Sequence, residues 1–291
     1  MVNRITFGIS RIVVLLCTVF TSLSLQAAER YSFLDQFLPA VEVEESDEIE
    51  TDRDSFTPAT SLVAPSKVMV ESAWSVIDNR DVAETHSLPE VVIRYGASDW
   101  FELRFGTNYE IGGESSEVSG SSGGFEEEVM GGNESGLEEE ANVSYGIKIA
   151  MSDQNSWIPE SAVILTGITP TSGVETDTRF VGTYVFGWEL ENGWVWDSSI
   201  RYGKTGDGDE AVESWAPSTV IKIPLNERVK THVEYFSIFN DGPESESEKH
   251  YVSPGVHYLV TENLEVGIRV GWGLNQDAAN FFSNIGFGLQ F

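Results

Sequence analysis

Cysteine is almost absent from this sequence: the single one, Cys17, sits inside an apolar run near the start. Cleavage beyond that run leaves a mature chain with no disulfide and no thiol, so its strength must come from backbone pairing and packing. Lipid attachment at Cys17 is excluded because bulky Leu16 precedes it. Basic residues are also scarce, 17 Lys and Arg against 47 Asp and Glu, for a formal net charge of -30. Such a surface repels nucleic acid, which is removed from the candidate partners. After the opening run, nothing approaches the roughly 18 uninterrupted apolar residues of a helical membrane span. A span made of strands needs no such run.

Histidine is limited to His86, His232, His250 and His257, with no evident serine-based set of nucleophile, base and orienter around them. The chain is not expected to be an enzyme, and no catalytic residue, metal or cofactor is assigned. His232 and His257 fall on neighbouring segments with the same facing, so the two rings can meet.

What is present begins with MVNRITFGISRIVVLLCTVFTSLSLQAAER. Basic Arg4 and Arg11, an apolar run from Ile12 to Leu25 and small Ala27 and Ala28 have the layout of a secretory signal peptide, residues 1–28, cleaved near Ala28. Its loss removes two positive charges and no acid, moving the formal charge from -30 to -32. Residues 29–65 form a distinct acidic N-terminal segment, expected in the periplasm. Tyr31, Leu34, Phe37 and Leu38 stand at helical spacing and Pro39 stops them, which predicts a short helix or hook on a flexible acidic linker. That hook is expected to enter the near mouth of whatever follows and narrow it, so deleting residues 29–60 should open it; the alternative is a disordered periplasmic extension, whose deletion changes nothing.

From Lys67 onward the pattern turns to period two. About twelve segments of roughly ten residues follow, near 67–77, 88–96, 99–110, 141–151, 161–170, 178–190, 194–204, 214–223, 229–239, 250–260, 264–274 and 281–291. Leu264, Val266, Ile268, Val270 and Trp272 alternate with Glu265, Gly267, Arg269, Gly271 and Gly273. The stretch SAVILTGITP shows no clean alternation. Short turns such as ASD and TEN alternate with long polar loops such as the IGGESSEV…GLEEE connection. An even strand count with short turns at one end and long loops at the other predicts an all-β fold, an antiparallel up-and-down transmembrane β-barrel over residues 66–291. The alternative is a secreted β-sandwich. A sandwich hides its apolar face, however, and gives no reason for aromatic residues at both strand ends: Trp74, Tyr109, Phe180, Tyr202, Trp215, Trp272 and Phe281 at one, Tyr95, Phe101, Trp188, Trp194, Tyr258 and Phe291 at the other.

The chain ends SNIGFGLQF, alternating to its last ring. Phe287, Leu289 and Phe291 in this closing strand resemble the C-terminal signal that bacterial outer-membrane barrels present to their assembly machinery. The stretches ETDRDSF, VESAWSVIDNRD, LPEVVIRYGASDWFELRFG and NIGFGLQF further resemble a bacterial family of outer-membrane proteins associated with transport and with the meta-cleavage pathway of phenol degradation. Thr51-Asp52-Arg53, Glu71 and the Leu88–Gly106 pair carry most of the likeness; the family's Pro-Gly before the first strand is Pro65-Ser66 here. The resemblance implies a channel or transporter in the outer membrane of a Gram-negative-type bacterium, passing small, aromatic or hydrophobic solutes. A non-conducting structural or surface barrel is the alternative.

Twelve strands spaced about 4.8 Å apart and tilted about 40° enclose a backbone cylinder roughly 24 Å across and a lumen on the order of 10 Å. Its expected lining is Glu71, Glu90, Arg94, Glu102, Arg104, Lys148, Glu189, Asp197, Arg201, Lys222, Lys230, His232, Glu234, His257, Glu265 and Arg269. Opposed charges there form either a constriction with a transverse field or a set of salt bridges that fills the lumen. Gly255, Gly267, Gly271, Gly273, Gly286 and Gly288 face inward too, and barrel curvature accounts for them. The loop from Ile111 to Ala141 carries nine glutamates and no Lys or Arg, which predicts a solvated acidic shield rather than an ordered divalent-cation site.

Overall fold

Alternation of this kind gives every strand one greasy and one polar face, and the chain resolves it by closing a sheet on itself. The computed structural model describes residues 49–53, 55–80, 82–112, 118, 138–173, 177–205, 212–241 and 246–291. The expected signal peptide, the Tyr31–Leu38 hook and nearly all of the acidic loop lie outside the described residues. The strands are β1 (Val68–Asp78), β2 (Thr85–Ser98), β3 (Phe101–Gly112), β4 (Glu138–Ser152), β5 (Glu160–Ser172), β6 (Arg179–Glu189), β7 (Val195–Thr205), β8 (Val212–Pro224), β9 (Val229–Asp241), β10 (Glu246–Thr261), β11 (Leu264–Gly273) and β12 (Phe281–Gln290). Each pairs antiparallel with its sequence neighbours, and β12 returns to β1, so the barrel is closed and has no free edge. A sandwich is thereby excluded.

The seam is set by the last residues. Met69 lies opposite Gln290 and Asp78 opposite Phe281. Beyond the final strand residue, the Phe291 N–H donates to the Val68 carbonyl at 2.9 Å and the Phe291 backbone oxygen accepts from the Val68 N–H at 3.3 Å. Phe291 thereby extends the closing ladder by one residue.

The outer wall is apolar and bare. Phe180 is 69 % exposed, Ile285 55 % and Ile268 50 %, while Arg269, next to Ile268, is 1 % exposed. No water-soluble domain leaves a belt of this extent uncovered; hydrocarbon is its natural solvent. In β5, where the sequence showed no clean alternation, Ala162, Ile164 and Ile168 turn inward and Leu165 outward.

The inner wall departs from the expected uniform polarity. Charges are concentrated in its short-turn half, and towards the long loops, where Glu110, Arg179 and Lys249 are also buried, Ile77, Ile168, Val181, Ala216, Phe236, Ile238, Tyr251 and Phe282 point inward and join Phe56, Val118 and Ala278 in a dry cluster. Ala278 belongs to the β11–β12 connection, whose Ala279 amide donates to the Tyr251 hydroxyl at 3.1 Å.

Candidate functional site

Residues 49–63 run inside the barrel. Ile49 and Val63 pack together with Met69 near the short-turn end, whereas Phe56 between them joins the dry cluster, so the segment rises into the lumen and returns. It is a re-entrant loop. The Ala59 amide donates to Asp52 Oδ1 at 3.0 Å and Ser61 Oγ to Glu50, which ties the two limbs. Thr51, Asp52, Arg53, Ser55, Phe56, Thr57 and Ala59 are all buried.

A chain inside a barrel has no strand to pair with, and its backbone groups must still be satisfied. The wall charges do this. Glu71 Oε2 accepts from the Asp52 and Arg53 amides at 3.0 and 2.9 Å, Glu234 from the Phe56 and Thr57 amides at 2.9 and 2.6 Å, and Glu102 from the Val63 amide at 2.9 Å. Cations serve the carbonyls: Arg94 donates to Glu50 O at 3.0 Å, Lys148 to Ala59 O at 2.9 Å and Arg201 to Phe56 O at 3.0 Å. Carboxylates thus stand in for peptide carbonyls and cations for peptide N–H groups.

The densest knot surrounds Arg94. It forks onto Glu102 at 2.8 and 3.0 Å, donates to Glu71 at 3.0 Å and lies 3.6 Å from Asp52. Arg104 reaches Asp52 at 2.5 Å and Glu102 at 2.9 Å, and Lys148 lies 3.7 Å from Asp52. Burial alone would raise the Asp52 carboxyl, but Arg94, Lys148 and Arg104 overcome it and hold the group far below the ordinary carboxylate range. With the docked value depressed, this contribution to docking is complete above the ordinary carboxylate range and declines progressively as the pH falls from that range into strong acid.

The other expected lumen residues fall into four places. Asp197 and Lys222 pair at 3.4 Å near the short-turn mouth, with Glu50 3.7 Å from Lys222. Together with Glu189 and Lys230 they line a cavity of about 480 Å³ under the loop; Glu189 is solvent-exposed there. Glu90 is buried on β2. His232 and His257 do meet, Nδ1 to Nε2 at 2.9 Å, with Glu265 3.7 Å from His257, and Thr51 Oγ1 donates to Glu265 at 3.2 Å. Arg269 lies 3.5 Å from Glu234 and also donates to the Val118 carbonyl. Among the described residues no group of three His, Asp or Glu is arranged to hold a metal ion.

The inward glycines are not a bare wall shaped by curvature alone. His232 lies over Gly255 and Phe282 over Gly271. Two positions serve the loop itself: a methyl at Gly288 would strike Thr51, and one at Gly96 would strike the Val63 and Ala64 carbonyls. Sequence reasoning noticed Thr51-Asp52-Arg53 only as a likeness and missed Phe56, Thr57, Phe236, Tyr251 and Phe282. A Phe inside an otherwise polar stretch was the available signal for Phe56.

Comparison with known proteins agrees with this architecture. The crystal structure of an outer membrane channel from Pseudomonas putida F1 superposes with a TM-score of 0.54 at 10 % identity, covering 84 % of this chain and 100 % of that one. The NanC porin superposes at 0.51 and 10 % identity, covering 76 % and 98 %. These likenesses establish a shared fold. No curated protein matches the sequence. Residues 51–291, from the buried threonine of the loop to the terminal phenylalanine, match the family described as "Putative MetA-pathway of phenol degradation", and the chain belongs to that family.

Proposed function

We propose that this protein is an outer-membrane channel for small solutes, aromatic or hydrophobic in character, closed in the present structure by its own residues 49–63. The observation that carries the reading is how the loop is held. Among the described residues side-chain contacts fix it and no ladder pairing does, so it can leave while the twelve-strand wall stays intact. The released carboxylates and cations would then be hydrated rather than stranded. Inward Phe236, Tyr251 and Phe282 supply an apolar surface that favours aromatic passengers. The long loops face outward from the cell and the short turns face the periplasm, which the chain reaches by way of its signal peptide. The filled lumen also suits a non-conducting structural barrel, so conductance decides between the two.

Thr57 Oγ1 and Ser218 Oγ lie 2.8 Å apart, and the mature chain is otherwise free of cysteine. In planar bilayers, a Thr57→Cys/Ser218→Cys pair is expected to be silent when oxidised and to show conductance steps after reduction, while deletion of residues 29–60 gives steps that no oxidant closes. Silence of the reduced pair and of the deletion would establish the structural barrel instead.

Selectivity supplies a separate expectation. The chain is strongly acidic, and fields from exposed charges fade beyond about 10 Å at 0.1 M salt. The deletion variant should therefore prefer cations at low salt and lose that preference in molar salt. Reversal potentials that favour anions at low salt would remove the electrostatic argument.

A further inference from the structure

At the apex of the loop the Phe56 ring is held by two side chains of the barrel wall. The Phe236 ring stacks on it with centroids 4.3 Å apart and planes 6° from parallel, and the Arg201 guanidinium lies over it at 4.2 Å from the centroid. Tyr251 continues the stack beyond Phe236 at 4.8 Å. The same residue has its amide N–H on Glu234 and its carbonyl on Arg201. Ring, donor and acceptor of one residue thus each have a dedicated partner on the wall.

Structural need alone does not account for this arrangement. A loop that only had to fill space could close the lumen with any aliphatic side chain, whereas a stacked aromatic ring and a guanidinium over the same ring favour a planar π system over a saturated group of the same size. The partners of the ring, Arg201 on β7 and Phe236 on β9, belong to the barrel and remain when the loop leaves.

We propose that Arg201, Glu234 and Phe236 form a binding site for an aromatic amino-acid unit, a planar ring flanked by an N–H donor and a carbonyl acceptor, and that Phe56 is its resident occupant. A free derivative of that class competes with Phe56 and, in doing so, loosens the loop. This rests on the channel reading in requiring that the loop can be displaced. It is narrower than that reading, because a plain hydrocarbon ring offers nothing to Glu234 or Arg201.

The test is calorimetric binding to the full mature protein in detergent, with folding verified by heat-modifiable gel migration. The probes are N-acetyl-phenylalaninamide, its cyclohexylalanine analogue and toluene. Wild type is expected to bind the first weakly. Phe56→Ala and Phe56→Leu, which remove the competing ring, should bind it about tenfold more tightly and prefer it about tenfold over the saturated analogue, the scale of one stacking plus one cation–π contact. Adding Phe236→Leu to Phe56→Leu should abolish that preference. Equal affinity for the phenyl and cyclohexyl probes would overturn the ring site, and toluene binding as tightly as the amide would overturn its polar half. Binding needs no conduction, so a ring-selective site in a barrel that never conducts would sink the channel reading alone, and a conducting barrel without ring selectivity would sink this proposal alone.

Discussion

Arg94→Leu is expected to unseat the lumen loop. The substitution removes a cation that touches Glu71, Glu102 and Asp52 together, and with it a donor to each of the Glu50 and Ser61 carbonyls. Three carboxylates would then share Arg104 and Lys148 in a site where Arg94 itself is 1 % exposed. Removing one partner of a buried ion network costs about 3 to 5 kcal/mol, so the docked state should lose a hundredfold or more of its population, roughly, relative to the released one. The readout is a cysteine placed at Ser55, which is fully buried in the docked loop. Maleimide should label it slowly in the parent and about a hundredfold faster alongside Arg94→Leu. Arg104→Leu, at a less deeply buried position with two ion-pair partners, should have a smaller effect. Labelling that remains at the parental rate in Arg94→Leu would mean that shape, not charge, seats the loop.

Phe291→Asp is expected to leave most of the protein secreted and uninserted. The change keeps both backbone bonds to Val68, and the side chain it alters is 64 % exposed on the outer rim. A carboxylate near the membrane interface costs a barrel about 1 kcal/mol or less, too little to prevent closure of a twelve-strand wall. A large loss in cells therefore has to come from recognition of the terminal strand by the assembly machinery. Two measurements separate the causes: heat-modifiable migration of protein from cells, expected to be largely lost, and refolding of purified protein into lipid vesicles, expected to be nearly unchanged. Equal failure in both would assign the effect to barrel stability and withdraw the signal.

The wall of this protein was legible in its sequence. Twelve strands, their order and the outward facing of Ile268, Ile285 and Phe180 follow from period-two alternation, because a strand's two faces are set by neighbouring residues and hydrocarbon outside demands that one of them be apolar. The short turns and the closing role of Phe291 follow from the same local pattern. The filling of the lumen was not legible. Thr51 meets Glu265 across 214 positions and Phe56 meets Glu234 across 178, contacts that no periodicity encodes. The same inward charges serve equally for an open constriction, for mutual salt bridges or for gripping a chain, and only the closed barrel shows that Glu71, Glu102 and Glu234 accept backbone N–H groups. Phe236, Tyr251 and Phe282 share parity with inward Glu234, His257 and Gly286, so alternation turns them inward, but their rings had no partner on a polar wall until Phe56 was placed among them. Local alternation determined the cylinder; what occupies it was decided by register around the whole ring, which brings distant residues together only once β12 has closed on β1.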